Sequence, residues 1–546
     1  MVKLTRSRLI ESIARLSPHS ATQRASIFIV ALALLTIASR SHALYPYSCG
    51  NLMATPNGGA EAITATDALA VLKGAIAGDC PPCICDVDKS LGNPNATDGL
   101  KVLKHAVGGS PTLICPADET NEVCTQCTCA GLLDKLQNHL DSAMFTEDSW
   151  IIFGCADNTV IDLDHVEDVC DWPTSGVQIT ANNVVISGVT AGKDRGITLK
   201  YDDDACECSG GSGTTDAFLT LAGDNGVVSG LTVIGFDQGV TVTGKNCTIG
   251  GSEATDAVDF ESICGPAVTN LDGGIGTEVR GGSFVDSGCG DSCTSDWHGG
   301  TITASGCDYS ASDQDRGCYH IAYHDVTVDG CEHAFSPIED LDTQNLRMLV
   351  SGGSMTRTDT SYNACDGILY KPSDGTLRIE DWDLEDCTDG IVMNASDSKI
   401  YIEGILVDGS KNRGLMLQDD VEVIADCNTI TDNGGNNNNN YQGGIVVRGS
   451  KATPFFGDTS NSDSLGKNHI AANHHKLAGV VEDREILYKR SGFVMKAQNN
   501  YWGGSTAPNV GTSNDDPIMI DVASPSSSTN VDVGSHLTDA PSGPCP

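Results

Sequence analysis

The chain has 546 residues, with 32 Lys and Arg against 73 Asp and Glu, a formal net charge of −41 at pH 7, and 23 cysteines. That length exceeds one ordinary domain and points to several units or one elongated repeat body. The charge argues against nucleic acid and anionic lipid as partners, whose affinity comes from neutralised phosphates; it leaves solubility and divalent-cation binding as uses for the acids.

The first segment reads as an export signal. Lys3, Arg6, Arg8, Arg15 and Arg24 precede an apolar run from Ser26 to Ala38, and Ser41-His42-Ala43 puts small residues where a signal peptidase cuts. The run is too short to span a membrane, and no later stretch is long enough. Residues 1–43 are therefore expected to be removed, and the mature chain to be secreted or held at the cell surface. They take six cations and one acid with them, so the remainder carries −46. All the cysteines lie in that remainder, and export to an oxidising compartment makes disulfides their expected state. The clusters Cys80-x-x-Cys83-x-Cys85 and Cys124-x-x-Cys127-x-Cys129 would suggest zinc or iron–sulfur inside a cell. An odd total leaves at least one thiol over.

Residues 44–116 contain a duplication. "ATDALAVLKGAIAG" (65–78) overlays "ATDGLKVLKHAVGG" (96–109) at an offset of 31. Each copy opens with Thr and Asp, which suit a helix start, and closes on Gly. The apolar spacing predicts two amphipathic helices that face each other through Leu69, Leu72, Ala75 and Ile76, and through Leu100, Leu103, Ala106 and Val107. Asp86, Asp88 and Ser90 stand before the second helix, and Asp98 follows Asp86 by twelve residues. Hard divalent cations want several oxygens from one tight loop plus a closing carboxylate, so these four are candidate calcium ligands. The duplicated unit resembles a type I dockerin, the calcium-loop and helix module that plugs into cohesin domains. The resemblance implies a calcium cofactor and a cohesin-like partner. It departs from the pattern in a second loop one residue too long and a first loop without Asp-x-Asp, so it implies one site. The same residues also read as a calcium-free helical pair stapled by cysteines.

Residues 117–145 read as a Cys-rich linker and then a helix with Leu132, Leu133, Leu136 and Leu140 on one stripe. Beyond them the period changes to short Val, Ile and Thr runs punctuated by Gly, Asn and Asp. Asn183, Asn225 and Asn246 recur at intervals of 42 and 21, and Gly367, Gly390 and Gly414 at 23 and 24. "QGGIVVRG" (442–449) continues the series after a run of asparagines. A repeat of 21 to 24 residues built of short strands is the mark of a β-solenoid, in which neighbouring coils seal one shared interior. Residues 146–510, closed by "AQNNYWGGSTAP" (497–508), resemble right-handed parallel β-helix proteins of the pectate-lyase-like group. The expected fold is thus mainly β: a right-handed parallel β-helix with a small helical dockerin-like module before it. The predicted helix would cap its first coil, and a Ser, Pro and Asp-rich tail would occupy 511–546.

Equal positions on successive coils lie about 4.8 Å apart. Alternation sends Ile368, Ile391, Leu415 and Ile445 inward, so Lys371, Asn394, Gln418 and Arg448 should form an outward column. That column suits a polysaccharide or cell-surface glycan; an ordinary solvated face is the plainer account. A lyase needs a cationic base and cations beside an enolate, which makes Lys371, Lys411 and Arg413 candidates. A glycosidase needs two carboxyl groups, for which Glu380 and Glu403 on neighbouring coils are candidates. Asp202, Asp203, Asp204 and Glu207 form a possible second cation loop. His320, His324 and His333 lack the spacing of a metal site, and no complete catalytic motif is present.

Overall fold

The computed structural model describes residues 65–77, 87, 96–109, 122–125, 129–133 and 136, and then the coil segments between 150 and 541. The longest continuous stretches are 172–188, 217–251, 253–271 and 375–435. The expected signal segment, Asp86, Asp88, Ser90, the Asp202–Glu207 loop and the asparagine run lie outside the described residues.

The body is built of parallel strands. Their pairings form three columns in which each strand hydrogen-bonds the equivalent strand one coil before and one coil after. The first column runs from Glu122–Thr125 through Trp150–Phe153, Val185–Ser187 and Thr376–Glu380 to Val531–Asp532. The second runs from Thr159–Asp162 to His469–Ala471. The third begins at Val177–Ile179 and passes through Asp366–Tyr370, the first half of Asp389–Glu403, the first half of Arg413–Asp426 and Gly443–Val447 to Ile486–Tyr488 and Met519–Val522. One antiparallel pair interrupts the pattern, the hairpin of His474–Leu477 and Val480–Asp483, which touches Gly443–Val447. This is the arrangement of a parallel β-solenoid.

The columns extend beyond the span that periodicity suggests. Glu122–Thr125 already pairs in register with Trp150–Phe153, and Met519–Val522 and Val531–Asp532 still add rungs. Coil length also varies more than the repeat of 21 to 24 allows. Val177 pairs with Leu219 and Ile445 with Ile486, whereas Leu219 pairs with Val240. The interval of 42 between Asn183 and Asn225 is therefore one coil with an insertion, not two coils. Asn225 Nδ2 donates to Asn183 Oδ1 at 2.8 Å, and both residues sit at positive φ, 57° and 56°. Asn tolerates the left-handed region that these corners require, which is why it recurs there.

One apolar cluster fills the interior from Cys129 to Val531. Ile368, Ile391, Leu415 and Ile445 are each 0 % exposed and stack in register. Cys129, Leu132 and Leu136 belong to the same cluster as Ile151 and Phe153, so the short helix Cys129–Leu133 contributes to it. Aromatic rings stack inside as well, as in Tyr323 against Phe335 at 4.4 Å.

Two buried amide ladders line the later coils. Asn428 Nδ2 donates to Asn468 Oδ1 at 2.8 Å, and Asn468 Nδ2 donates to Asn500 Oδ1 at 2.9 Å. Alongside, Asn433 Nδ2 donates to Asn473 Oδ1 at 2.9 Å, and Asn473 Nδ2 ends on Glu485 Oε2 at 2.6 Å. Asn500 belongs to the closing "NNYWGG" stretch, whose Trp502 is buried and whose Tyr501 ring packs 5.0 Å from His469.

The helices Ala65–Ala77 and Ala96–Ala106 pair, with Leu72 at the contact as predicted but with Leu69, Leu100, Leu103 and Val107 turned away from it. Ala68, Val71, Asp98, Gly99 and Val102 are buried, while Leu69, Leu100, Leu103 and Val107 are exposed. The cause is steric: at Gly99 a Cβ would sit 3.1 Å from Leu72 Cβ, so the helices cross closely at small residues. A crossing at Ala68 and Gly99 turns the leucines on either side outward.

Among the described residues, Cys129, Cys264 and Cys427 are disulfide-bonded, whereas Cys247 and Cys387 remain buried thiols. No helix among them is long and apolar enough to cross a membrane.

Candidate functional site

The third column carries the predicted outward row. Tyr370 pairs with Met393, Asn394 with Gln418, and Leu417 with Val447, so Lys371, Asn394, Gln418 and Arg448 occupy equivalent positions on four successive coils. The Arg448 N–H donates to the Leu417 carbonyl at 2.8 Å, which keeps the register through the last of them. Lys371, Asn394 and Gln418 are partly exposed and Arg448 is exposed. The row thus places two cations at its ends and two amides between them.

The neighbouring outward row is apolar, which alternation alone did not suggest. Leu369, Val392, Met416, Val446 and Leu487 stack in register, and the last four are buried although they point away from the interior. Gln418 Nε2 lies 3.6 Å from Met416 Sδ, so the polar row edges a covered apolar strip.

Arg413, a candidate lyase cation, is committed elsewhere. It donates through Nε to Asp389 Oδ1 at 2.6 Å and through Nη2 to Asp389 Oδ2, a bidentate pair between adjacent coils, with Nη1 against Met416 Sδ. A guanidinium held that way offers little to an enolate.

The two candidate carboxyls fall on the outer face of the first column, where Glu380 pairs directly with Glu403. Between them sits a residue that sequence reasoning missed. Arg378, 3 % exposed, donates Nε to Glu380 Oε2 at 3.3 Å and Nη2 to Glu403 Oε2 at 2.8 Å. Burial pushes the Glu380 carboxyl above the usual carboxylate range; the Arg378 charge and hydrogen bond oppose that shift, and the Glu403 charge adds to it. Burial also pushes the nearby Tyr319 hydroxyl up to about 12, with Arg378 opposing and Glu380 contributing. Tyr401, on the rung after Arg378, receives the guanidinium at 6.0 Å from its ring centre and Lys399 Nζ at 5.1 Å. The set is a compact ionic network on neighbouring rungs. Glu380 meets that shared cation largely away from solvent, at 12 % exposure, whereas the Glu403 side chain remains 38 % exposed.

Among the described side chains, His320 and His324 join no cluster of ligating groups. His320 is buried, with Nδ1 accepting the Arg347 N–H at 3.1 Å, and His324 lies on the outer face of the first column. Among the described residues no three His, Cys, Asp or Glu side chains gather where a metal ion could be held. On the helical pair, Asp98 is wholly buried and its Oδ1 accepts the Val87 N–H at 3.0 Å.

Compared with known protein families, curated proteins and solved structures, the chain matches none.

Proposed function

We propose that the chain is an exported right-handed β-helix that binds a glycan or another extended cell-surface polymer along the rim of its third column. The carrying observation is the in-register row Lys371, Asn394, Gln418 and Arg448. It offers donors and acceptors at steps of about 4.8 Å, a geometry matched to a chain running along the axis. Right-handedness is what twisted parallel strands favour in their crossovers. The disulfides at Cys129, Cys264 and Cys427 support an oxidising, extracellular setting. Binding of the secreted protein to a panel of soluble polysaccharides tests the reading. It predicts retention by at least one glycan and loss of that retention in Lys371→Ala; a chain that ignores every glycan refutes it.

The N-terminal module is read as dockerin-like, with one calcium ion held by Asp86, Asp88, Ser90 and Asp98 and a cohesin-like domain as the corresponding partner. Support comes from the helical duplication and from the buried Asp98 carboxylate, turned onto the loop residue between Asp86 and Asp88. The helix Cys129–Leu133 is read as the cap of the first coil.

A second reading, a carbohydrate-active enzyme, is favoured by one observation: Glu380, raised by burial, adjoins Glu403 on the next rung. A carboxyl raised by burial beside a second carboxyl suits glycoside hydrolysis. Reducing ends released by the native chain, and lost in Glu380→Gln, would establish it. A lyase acting through Lys371 would instead release unsaturated products absorbing in the ultraviolet.

A further inference from the structure

The outer face of the first column carries a hydroxyl that neither the glycan rim nor the carboxyl pair employs. Met348 and Val350 lie wholly buried in the interior, so alternation turns Ser351 outward. Its rung pairs in register with Glu380 on the next coil, and the Ser351 hydroxyl donates to the Glu380 carboxyl. Ser351 is partly exposed. The backbone turns left-handed directly after it, at Gly352 and Gly353 with φ of 70° and 102°, and neither glycine has a side chain to screen the hydroxyl. A serine hydroxyl is a weak nucleophile until an adjacent base takes its proton. Glu380 is a stronger base than an ordinary carboxylate, because burial raises its proton affinity despite the opposing charge of Arg378. From this we infer that Ser351 is the nucleophile of an acyl-transfer site, with Glu380 as its general base, that hydrolyses small carboxylic esters, O-acetyl esters of uncharged alcohols above all.

The reaction needs water and no other reactant. As Ser351 Oγ bonds to the ester carbonyl carbon, its proton passes to Glu380. The carbon–oxygen bond to the alcohol then breaks, and the alcohol leaves with that proton. Water attacks the acyl-serine and gives a proton to Glu380; the bond from carbon to Oγ breaks, Oγ recovers the proton, and the carboxylic acid is released. The surroundings set the substrate class. Glu380 and Arg378 are largely enclosed, so the dyad admits a short acyl group rather than a long chain. Glu403 on the following rung and a net charge of −41 disfavour an anionic alcohol.

The test treats the full chain with a fluorophosphonate and maps the adduct by peptide mass, alongside p-nitrophenol release from p-nitrophenyl acetate. The expected result is a phosphonyl adduct on Ser351 that is absent from Ser351→Ala. Ester hydrolysis should fall at least about a hundredfold in both Ser351→Ala and Glu380→Gln, the lower end of what a general base supplies, with thermal unfolding showing every chain folded. No adduct on Ser351 in the folded chain, or hydrolysis undiminished in either variant, overturns the inference. Ser351 lies outside the rim, so its replacement by Ala should leave any glycan retention unchanged. A native chain that is labelled at Ser351 but retained by no glycan overturns the glycan-binding reading and leaves this one standing.

Discussion

Arg378 lies between the stacked carboxylates of Glu380 and Glu403, touching both within 3.3 Å while itself only 3 % exposed. Two glutamates on neighbouring rungs would otherwise repel, and a lone buried guanidinium would be costly. Together they form a network in which the buried guanidinium is held by both carboxyl groups.

Removing the central cation should therefore cost far more than removing an exposed one. Arg378→Ala is expected to lower unfolding free energy by about 3–5 kcal/mol, the range for breaking a buried pair. Lys399→Ala should cost within about 0.5 kcal/mol, because its 3.3 Å pair with Glu422 is exposed on both sides. Urea unfolding of the three proteins checks the contrast.

The raised Glu380 carboxyl gives a pH signature with a definite sign. Its folded proton affinity exceeds the ordinary one, for which the pKa is 4.5, so the ionised group weighs against the fold. The unfavourable contribution is fully present above the folded pKa and disappears as pH falls below the ordinary value. Glu380→Gln, which can still accept from Arg378, should match or exceed the native chain in stability near neutrality. The advantage should shrink to nothing below about pH 4. Melting temperatures across that window decide it.

Within the coils, inward and outward positions should separate cleanly. Leu415→Ala, at a fully buried rung, should cost roughly 2–5 kcal/mol, and Gln418→Ala less than about 0.5. The amide ladder should be equally intolerant. Asn468→Ala removes an acceptor from the Asn428 N–H at 2.9 Å and its Nδ2 donor from the Ala425 carbonyl at 2.8 Å. Each buried group so stranded costs about 1–3 kcal/mol.

Cysteine parity yields a count. With 23 cysteines and buried thiols at Cys247 and Cys387, an odd number of thiols, at least three, must remain unless one bonds another molecule. Alkylation of the unreduced, denatured chain followed by intact-mass measurement should show that odd number, with Cys129, Cys264 and Cys427 protected until reduction.

Much of this was legible from alternation. Ile368, Ile391, Leu415 and Ile445 are inward and Lys371 to Arg448 outward because parity along a strand is a local property. Coil length was not, because an insertion such as the one between Val185–Ser187 and Val227–Ser229 leaves the stack intact while doubling the sequence interval. The helix faces were misjudged at Gly99, where close approach, invisible in an apolar pattern, decides which residues meet. Arg378 was overlooked for a related reason: within "TLRIE" it is one charge in a strand, and only the register across rungs brings Glu403 to it. The strand Glu122–Thr125 lies among cysteines and polar residues and carries no periodic signal of its own.

The most direct measurement on the central claim is the affinity of the full chain for a polysaccharide that retains it, before and after reversing both ends of the rim, Lys371→Glu with Arg448→Glu. A ligand lying along that row predicts a loss of at least about thirtyfold, the product of two modest charge contacts, with melting temperature unchanged. Undiminished affinity in a correctly folded double variant would place the bound polymer on some other face of the solenoid.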